Sequence, residues 1–409
     1  MRFIHSRIQK HKYRNWELCR LGIDRWQSSA NNLPLEIQLE VTTHCNIQCL
    51  MCPRSSFVST PMHMPYDILR KSFSFFPSAL KVIPFGGGEP LLYPHFMELV
   101  ESIKKSEAEI YFNTNATLLT EDLARRLVAL DVDRISFSLD GAIQKTFESI
   151  RKGAKFVTVI NNIAALNAIK REQGKSLPVM GISFICMASN ISEIPRLLSL
   201  CRDVGVQLIS FQSLISPGPT WNAEYKEFYQ RQSLSNLSER ELSSFFAAAD
   251  RQAKDSGIQI FPPDYFLSFA KRHKIKESDN ISISCEKDKT QQMRTKHTCP
   301  DTSGNSFFCT SPWTTVYIRA NGLVQACCFS SRILGDLREQ ELAEIWNGAE
   351  YRSYRKQIFE GVCPSECKIC FQNALNSREV NIKPSSHTRN TRQVIGSVLS
   401  ACRRLLTKA

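Results

Sequence analysis

The sequence of 409 residues contains no long hydrophobic run. A membrane-spanning helix needs about 18–20 consecutive apolar residues, and no segment meets that requirement. The opening residues, Met1-Arg2-Phe3-Ile4-His5-Ser6-Arg7, also lack the apolar core of a secretory signal peptide. We therefore expect a cytoplasmic protein without a transmembrane helix.

The composition also lacks the biases that mark fibrous or unfolded chains. There are only 17 glycines and 18 prolines, whereas phenylalanine reaches 24. A collagen-like chain needs glycine at every third position, and a disordered chain is poor in aromatic residues, so both classes are excluded. A chain of this length predicts two or three domains with enough sequence for a buried core.

Positive charge and cysteine are what the sequence has in excess. It contains 52 Lys+Arg against 39 Asp+Glu, a net charge of +13, together with 15 cysteines. A basic, cysteine-rich chain fits either a zinc-dependent nucleic-acid-binding protein or an iron–sulfur enzyme. The charge is concentrated in residues 1–33 and 376–409, which each carry seven Lys/Arg, against two and one Asp/Glu.

The pattern along the chain predicts an α/β fold with a parallel sheet or barrel. Six β-rich runs alternate with helical patterns, which is typical of βαβ units. These runs are Leu35–Val41, Val82–Phe85, Ile110–Phe112, Arg134–Leu139, Val179–Cys186 and Val206–Phe211. In such barrels the reacting groups lie at the C-terminal ends of the strands.

The same pattern divides the chain into five predicted parts. They are a basic helical extension (1–33), the barrel (34–215), a connecting segment (216–305), a compact α+β module (306–375) and a basic tail (376–409). In the tail, apolar residues at helical spacing predict an amphipathic helix. That helix would dock on the chain itself, or contact an anionic membrane surface or an acidic partner.

A first cysteine set, Cys45, Cys49 and Cys52, comes directly after the first predicted strand. Three thiolates so close together can hold three irons of a [4Fe–4S] cluster and leave the fourth iron open for a small molecule. A zinc site would favour paired Cys-x2-Cys ligands separated by a longer loop. The spacing therefore favours an iron–sulfur cluster.

The segment from Cys45 to Cys52, followed by Pro53-Arg54, resembles the cluster motif of the radical S-adenosylmethionine (SAM) superfamily. The resemblance implies a partial (βα)6 TIM-type barrel in which the fourth iron of the cluster chelates SAM. It further implies that an electron from the cluster cleaves SAM to a 5′-deoxyadenosyl radical, which abstracts a substrate hydrogen. One departure is Met51, where an aromatic residue is common; its thioether can pack against adenine.

Further strand-end residues fit the same resemblance. Gly87 and Gly88 would let the backbone approach the methionyl group of SAM, and Glu89 would accept a hydrogen bond from its ammonium. The other implied SAM contacts are Asn113, Asn115, Ser138 and Asp140. The alternative is that these polar residues only form turns. No catalytic side chain is assigned.

A second cysteine set, between residues 309 and 370, resembles the SPASM/twitch module of the same superfamily. The resemblance implies one auxiliary [4Fe–4S] cluster, which would accept an electron from the substrate radical or bind substrate directly. Its expected ligands are Cys309, Cys327, Cys367 and Cys370, with Cys363 as a competitor. Four thiolates also suit a structural zinc ion, which is the alternative. Asn321-Gly322, between the first two of these cysteines, predicts a β-hairpin turn.

The resemblance implies an enzyme with two clusters, SAM and a reductant such as flavodoxin or ferredoxin. The expected substrate is a small carbohydrate or aminocyclitol-like metabolite, or a peptide, and not a nucleic acid. Only 34 residues precede the first predicted strand, too few for the peptide-recognition module of many peptide-modifying members, which lowers the expectation of a peptide. The alternatives are a zinc-stabilised nucleic-acid-binding protein and a non-catalytic iron–sulfur electron carrier.

Overall fold

The computed structural model describes residues 10–25, 27–218, 220–261 and 309–360, together with residues 362, 364 and 367. The predicted basic tail, much of the predicted connecting segment, Cys363 and Cys370 lie outside these ranges. Within them, no helix is both long and apolar enough to cross a bilayer.

Helices and strands alternate through the first two thirds of the described chain. The helices are α1 Lys10–Asp24, α2 Tyr66–Phe73, α3 Phe96–Lys105, α4 Glu121–Ala129, α5 Gln144–Ile150, α6 Phe156–Glu172, α7 Ile194–Asp203, α8 Ala223–Gln232, α9 Glu239–Ser256, α10 Ser311–Thr314, α11 Leu342–Trp346 and α12 Ala349–Phe359. The strands are β1 Glu36–Leu39, β2 Gln48–Cys49, β3 Lys81–Ile83, β4 Glu109–Thr114, β5 Arg134–Ser138, β6 Arg151–Lys152, β7 Val179–Cys186, β8 Leu208–Ser213, β9 Gln259–Phe261, β10 Thr315–Ile318, β11 Leu323–Gln325 and β12 Gly335–Asp336.

Ten of these strands form one sheet, in the order β12-β11-β10-β1-β3-β4-β5-β7-β8-β9. The strands from β1 to β8 in this order pair in parallel, which confirms the predicted α/β class with a six-stranded partial barrel. Each predicted β-rich run matches its strand to within two residues at either end. Strand β9 was expected to be part of a connection, but it extends the sheet in parallel with β8.

The two faces of the barrel strands differ in chemistry. In β4, Ile110 and Phe112 are fully buried, and Phe112 packs edge-to-face on Phe96 of α3. Because side chains alternate along a strand, Tyr111 and Asn113 occupy the opposite, inner face. The register continues this inner face across the sheet. Charged residues occupy it at the N-terminal ends of the strands, namely Glu36, Lys81, Glu109 and Arg134. Further along the strands it carries mainly uncharged polar side chains, namely Gln38, Tyr111, Asn113, Ser136, Ser138, Ser183, Ser210 and Gln212, with Ile83, Ile185 and Leu208 among them.

The C-terminal module continues the barrel sheet. Strand β10 pairs in parallel with β1, and β11 returns antiparallel to β10. The turn between β10 and β11 has Gly322 at φ +86°, a conformation that favours glycine, so the predicted Asn321-Gly322 hairpin turn is confirmed. The module and the barrel therefore share backbone hydrogen bonds along the whole of β1.

Helix α1 packs between the barrel and the C-terminal module. The amide of Asn15 donates hydrogen bonds to the carbonyls of Leu33 and Ser78 on the barrel side. On the other side, the thiol of Cys19 donates to the carbonyl of Trp313 in α10. This part of the basic N-terminal segment is therefore integrated into the fold.

Candidate active site

The three cysteines of the first set lie on a loop that follows β1 at its C-terminal end. Cys45, Cys49 and Cys52 are each partly exposed, and their sulfur atoms are close enough to interact electrostatically. Burial raises the pKa of the Cys49 thiol to about 12 and also raises that of Cys45. Metal ligation requires thiolates, so loading a cluster here releases protons.

An arginine that the sequence analysis did not single out organises this loop. Arg151 begins the two-residue strand β6, which pairs antiparallel with β2, so that Arg151 lies opposite Cys49. Its Nη1 donates to the sulfur of Cys49 at 3.5 Å, and its buried Nε has no hydrogen-bond partner in the described part of the chain. The short Arg-Lys pair at the end of α5 gives no local signal of this role.

The carboxylate of Asp140, which follows β5, contacts other residues of the chain. Its side chain is fully buried, forms an ion pair with Arg151 at 2.5 Å and accepts a hydrogen bond from the backbone N–H of Ile185. Burial raises the pKa of Asp140, and the neighbouring Arg151 opposes that shift. In the described structure Asp140 therefore anchors Arg151, and its expected direct contact with SAM stays a prediction.

The glycines of the predicted Gly-Gly-Glu motif bring two loops into close contact. A Cβ on Gly88 would lie 2.3 Å from the carbonyl oxygen of His44 and 2.7 Å from that of Thr42. A Cβ on Gly87 would lie 2.6 Å from Oε1 of Glu40. The absence of side chains here therefore allows the loop after β3 to pack directly on the cysteine loop, in addition to any approach to SAM.

Glu89 joins the ends of β3 and β4. Its Oε1 accepts hydrogen bonds from Thr114 Oγ1 at 2.7 Å and from the N–H of Leu91 at 3.2 Å, while its Oε2 accepts from the N–H of Asn115 at 2.7 Å. A carboxylate offers about four acceptor positions, so one is left for a ligand ammonium. Burial raises the pKa of Glu89, and these hydrogen bonds oppose the shift.

The remaining expected SAM contacts fall into two groups. Asn115 lies at the cysteine loop, where its Nδ2 donates to Asn46 Oδ1 at 2.9 Å and lies 4.0 Å from the sulfur of Cys45. Asn113 and Ser138 instead lie on the inner face of the barrel, where Asn113 accepts a hydrogen bond from Tyr111. Their assignment to SAM stays a prediction.

Met51 is almost completely buried in a small apolar cluster beside the cysteine loop. Its neighbours in that cluster are Ile150, Met187, Leu214 and Phe228. Two of these, Leu214 and Phe228, follow β8, and the amide of Asn222 at the start of α8 donates to Ser55 Oγ at 3.0 Å. The segment after β8 therefore packs on the cysteine loop, and the predicted contact of Met51 with adenine stays a prediction.

The second cysteine set is described in part. Cys309 precedes α10, Cys327 follows β11, and Cys367 lies beside α12, where Tyr354 Oη is 3.3 Å from its sulfur. Both Tyr351 and Tyr354 lie within electrostatic range of Cys327. Cys363 and Cys370 lie outside the described residues, so the choice among the expected auxiliary ligands stays a prediction.

The residues present fit an iron–sulfur cluster with SAM. Among the described residues, no three His, Cys, Asp or Glu side chains are grouped around one point as ligands of a single metal ion. A cubane instead takes one thiolate at each of several irons, which suits three sulfur atoms spread along a loop. The partnerless Nε of Arg151 offers a buried donor beside them, suited to an anionic ligand.

Comparison with known proteins supports the interpretation of this site as one that holds an iron–sulfur cluster and SAM. The sequence profile of the Radical SAM superfamily matches residues 39–184, and that of an iron–sulfur cluster-binding domain, SPASM, matches residues 309–371. The chain belongs to the radical SAM superfamily and carries a C-terminal SPASM module. The radical SAM domain implies a [4Fe–4S] cluster and SAM as cofactors, and the SPASM domain implies auxiliary iron–sulfur binding.

Two curated relatives illustrate how far the sequence similarity extends. A tungsten-containing aldehyde ferredoxin oxidoreductase cofactor-modifying protein of Pyrococcus furiosus is 30% identical over 45% of this chain and 52% of its own length. An AdoMet-dependent heme synthase of Methanosarcina barkeri is 25% identical over 84% of this chain and 90% of its own. The chain thus spans only about half the length of the first of these relatives.

Solved structures share the fold at low sequence identity. SuiB of Streptococcus suis bound to the precursor peptide SuiA gives a TM-score of 0.59 at 16% identity, covering 87% of this chain and 76% of that one. The anSMEcpe protein with bound AdoMet and the Cp18Cys peptide gives 0.55 at 17% identity, covering 91% and 98%. These similarities establish the barrel-plus-module architecture.

Proposed function

We propose that this enzyme binds a polar, uncharged segment of a peptide on the inner face of its barrel and modifies it by radical chemistry. The observation that carries the proposal is the inner row of hydroxyl and amide side chains, such as Asn113, Ser138, Ser183 and Gln212. A filled barrel interior is dominated by branched apolar residues, whereas this row offers hydrogen-bond donors and acceptors.

When bound, the cluster and SAM supply an electron and a 5′-deoxyadenosyl radical. The chain's own side chains bind and orient SAM and the substrate. The guanidinium of Arg151, held by Asp140, would pair with the carboxylate of SAM, and the remaining acceptor position of Glu89 would receive its ammonium. The inner side chains hold the substrate bond that loses hydrogen, and the apolar cluster around Met51 excludes water from the cysteine loop.

A peptide is favoured over a small carbohydrate by the architecture of the fold neighbours. Both SuiB and anSMEcpe have been solved with peptides, and anSMEcpe is covered over 98% of its length. Peptide binding by that neighbour therefore occurs within the architecture this chain shares. A small carbohydrate is the second candidate, since the same hydroxyl and amide groups would bind its hydroxyls.

The first experiment tests radical SAM chemistry itself. We expect anaerobic reconstitution to give about eight irons per chain, and incubation with dithionite and SAM to release 5′-deoxyadenosine. Cys45→Ala should retain about four irons and release no 5′-deoxyadenosine. The control Cys201→Ala removes a buried core thiol on α7 and should behave like the wild type. Zinc in place of iron, or iron without cleavage, would support the nucleic-acid-binding or electron-carrier alternative.

The second experiment tests the substrate class. Short synthetic peptides and a panel of monosaccharides and aminocyclitols are compared for their ability to accelerate 5′-deoxyadenosine release above the substrate-free rate. We expect acceleration by peptides, and we expect Gln212→Ala, at the exposed end of β8, to raise the KM for the peptide while leaving substrate-free cleavage unchanged. Acceleration by the sugars alone would overturn the peptide assignment.

A further inference from the structure

One buried carboxylate joins the loop that precedes Glu89 to the C-terminal module. Glu40 follows β1 and is only 6% exposed. Its Oε1 accepts a hydrogen bond from the N–H of Gly87 at 3.1 Å, and its Oε2 accepts from the N–H of Ala320 at 3.1 Å. Gly87 belongs to the loop after β3, whereas Ala320 lies in the β10–β11 hairpin of the module.

Tyr317 reinforces this link from the module side. It lies on β10, and its hydroxyl is close enough to the carboxylate of Glu40 to interact with it electrostatically. The same hydroxyl packs against the loop, because a Cβ on Gly86 would lie 2.8 Å from Tyr317 Oη and 2.7 Å from Glu40 Cβ. The backbone at Gly86 therefore packs closely against both Glu40 and Tyr317.

The backbone fixes the positions of these groups. Strand β10 pairs with β1 in parallel, and the N–H of Glu40 donates to the carbonyl of Ile318 at 2.8 Å. The carboxylate is thus held directly between the hairpin and the loop. A buried N–H that loses its acceptor suffers the full cost of desolvation, so displacing the hairpin would leave the N–H of Gly87 or of Ala320 without a good partner.

We propose that Glu40 is a positioning residue through which the C-terminal module controls the affinity of the Gly86–Glu89 loop for SAM. This inference rests on the proposed assignment of that loop to SAM. If substrate or a cluster binds in the module and shifts the β10–β11 hairpin, the carboxylate of Glu40 shifts with it. That carboxylate is the hydrogen-bond acceptor of the Gly87 N–H. The affinities for SAM and for ligands of the module are then coupled, and the coupling is reciprocal.

The test measures the dissociation constant for SAM by equilibrium dialysis with anaerobically reconstituted protein of matched iron content. Glu40→Gln places an amide donor against one of the two N–H groups, and we expect it to weaken SAM binding about tenfold. Tyr317→Phe changes only the module, yet we expect it to weaken SAM binding about threefold or more. The double variant should be no weaker than Glu40→Gln alone, because both substitutions act through one carboxylate.

A matched control lies at the opposite end of the barrel. Asp133 is a carboxylate that accepts from the N–H of Ile110 and pairs with Lys104, so Asp133→Asn should lower thermal stability without changing the dissociation constant for SAM. If Tyr317→Phe binds SAM like the wild type, or if the two effects simply add, the coupling through Glu40 is wrong. A wild-type protein that binds no SAM would instead overturn the proposed function.

Discussion

The guanidinium of Arg151 and the carboxylate of Asp140 form an ion pair at 2.5 Å with almost no exposure to solvent. Asp140 follows β5 and Arg151 begins β6, so the ion pair joins the two ends of the segment that contains α5. The same guanidinium contacts Cys49. The geometry of the cysteine loop therefore depends on a buried charge pair that belongs to a different βα unit.

Removing either partner of this pair should be strongly destabilising, because the remaining charge stays buried and unpaired. We expect Arg151→Met and Asp140→Leu each to lower the free energy of unfolding of the cluster-free protein by about 3–5 kcal/mol. The double variant should be more stable than either single one, since it leaves no isolated charge. Urea denaturation at pH 7 measures all three.

The control for these three variants is an ion pair on the surface. Arg125 pairs with Glu121 on the surface of α4, with 41% and 67% of the two side chains exposed. Arg125→Met should change the unfolding free energy far less than Arg151→Met, because solvent screens the surface pair. Single variants at Arg151 and Asp140 that are as stable as the wild type would contradict the buried ion pair.

Gly88 should tolerate no side chain. A Cβ there would meet the backbone of the cysteine loop at 2.3 Å from His44, and backbone cannot rotate away. We expect Gly88→Ala to reduce iron incorporation and SAM cleavage together, by more than tenfold in cleavage rate. Gly174→Ala is the control, because Gly174 has φ +63° but nothing within 4 Å of an added Cβ.

The control substitution introduces backbone strain without steric conflict. We expect Gly174→Ala to lower stability by about 1 kcal/mol and to leave iron content and cleavage unchanged. Iron content measured after reconstitution, alongside thermal denaturation, separates the two effects. A Gly88→Ala protein with full iron content and normal cleavage would show that the two loops can separate without loss of function.

Tyr354 should influence the auxiliary cluster if Cys367 is one of its ligands. Hydrogen bonds to cluster sulfur atoms stabilise the more negative, reduced state and so raise the reduction potential. We therefore expect Tyr354→Phe, which removes the hydroxyl 3.3 Å from the sulfur of Cys367, to lower the midpoint potential of the auxiliary cluster. Potentiometric titration followed by electron paramagnetic resonance measures this shift.

Tyr351 supplies the control from the same helix. Its hydroxyl is also buried, but it donates to the carbonyl of Gln325 rather than to a cysteine. Tyr351→Phe should therefore change the potential less than Tyr354→Phe. Equal potentials for Tyr354→Phe and the wild type would exclude a hydrogen bond from Tyr354 to a cluster ligand.

The strands of the barrel were predictable from sequence because their signal is local. Alternating β-rich and helical patterns located all six barrel strands, and Asn321-Gly322 located the hairpin turn. The close packing at the Gly-Gly-Glu motif was not predictable. It depends on where the backbone of the cysteine loop lies, which no pattern within the motif records.

Residues that act through tertiary contacts gave no such signal. Asn190-x-x-Glu193 has the spacing of a helix capping box, yet Asn190 donates to the carbonyls of Asp140 and Ile185, and Glu193 accepts from the N–H of Ala142. Both side chains stabilise the loop after β5 instead of capping a helix. Arg151 and Glu40 escaped notice for the same reason, because their partners are distant in sequence.

Lys12 offers a test of stability against pH. It lies on α1 with only 3% of its surface exposed, and its Nζ has no hydrogen-bond partner in the described part of the chain. Burial lowers the pKa of Lys12 to about 8, although Glu107 and Glu109 oppose the shift. The folded protein therefore releases this proton at a lower pH than the unfolded chain does.

Between pH 8 and the ordinary lysine pKa of 10.5, the unfolded chain binds more protons at this position, so the contribution of Lys12 to stability rises with pH. Below pH 8 the cost of burying the charge is constant. We expect Lys12→Met to be more stable than the wild type by roughly 1–2 kcal/mol at pH 7, allowing for solvent screening. The difference should shrink steadily as the pH rises to 10.

Urea denaturation of the cluster-free proteins at pH 7, 8, 9 and 10 measures this difference, and other groups that titrate in the same range cancel between variant and wild type. Lys155→Met, which removes a charge from a side chain that is 74% exposed, should follow the wild type at every pH. Because the cost arises from desolvation, only the buried lysine is expected to show the pH dependence. A constant difference for Lys12→Met from pH 7 to 10 would mean that folding does not lower the pKa of Lys12, and would contradict the desolvation argument.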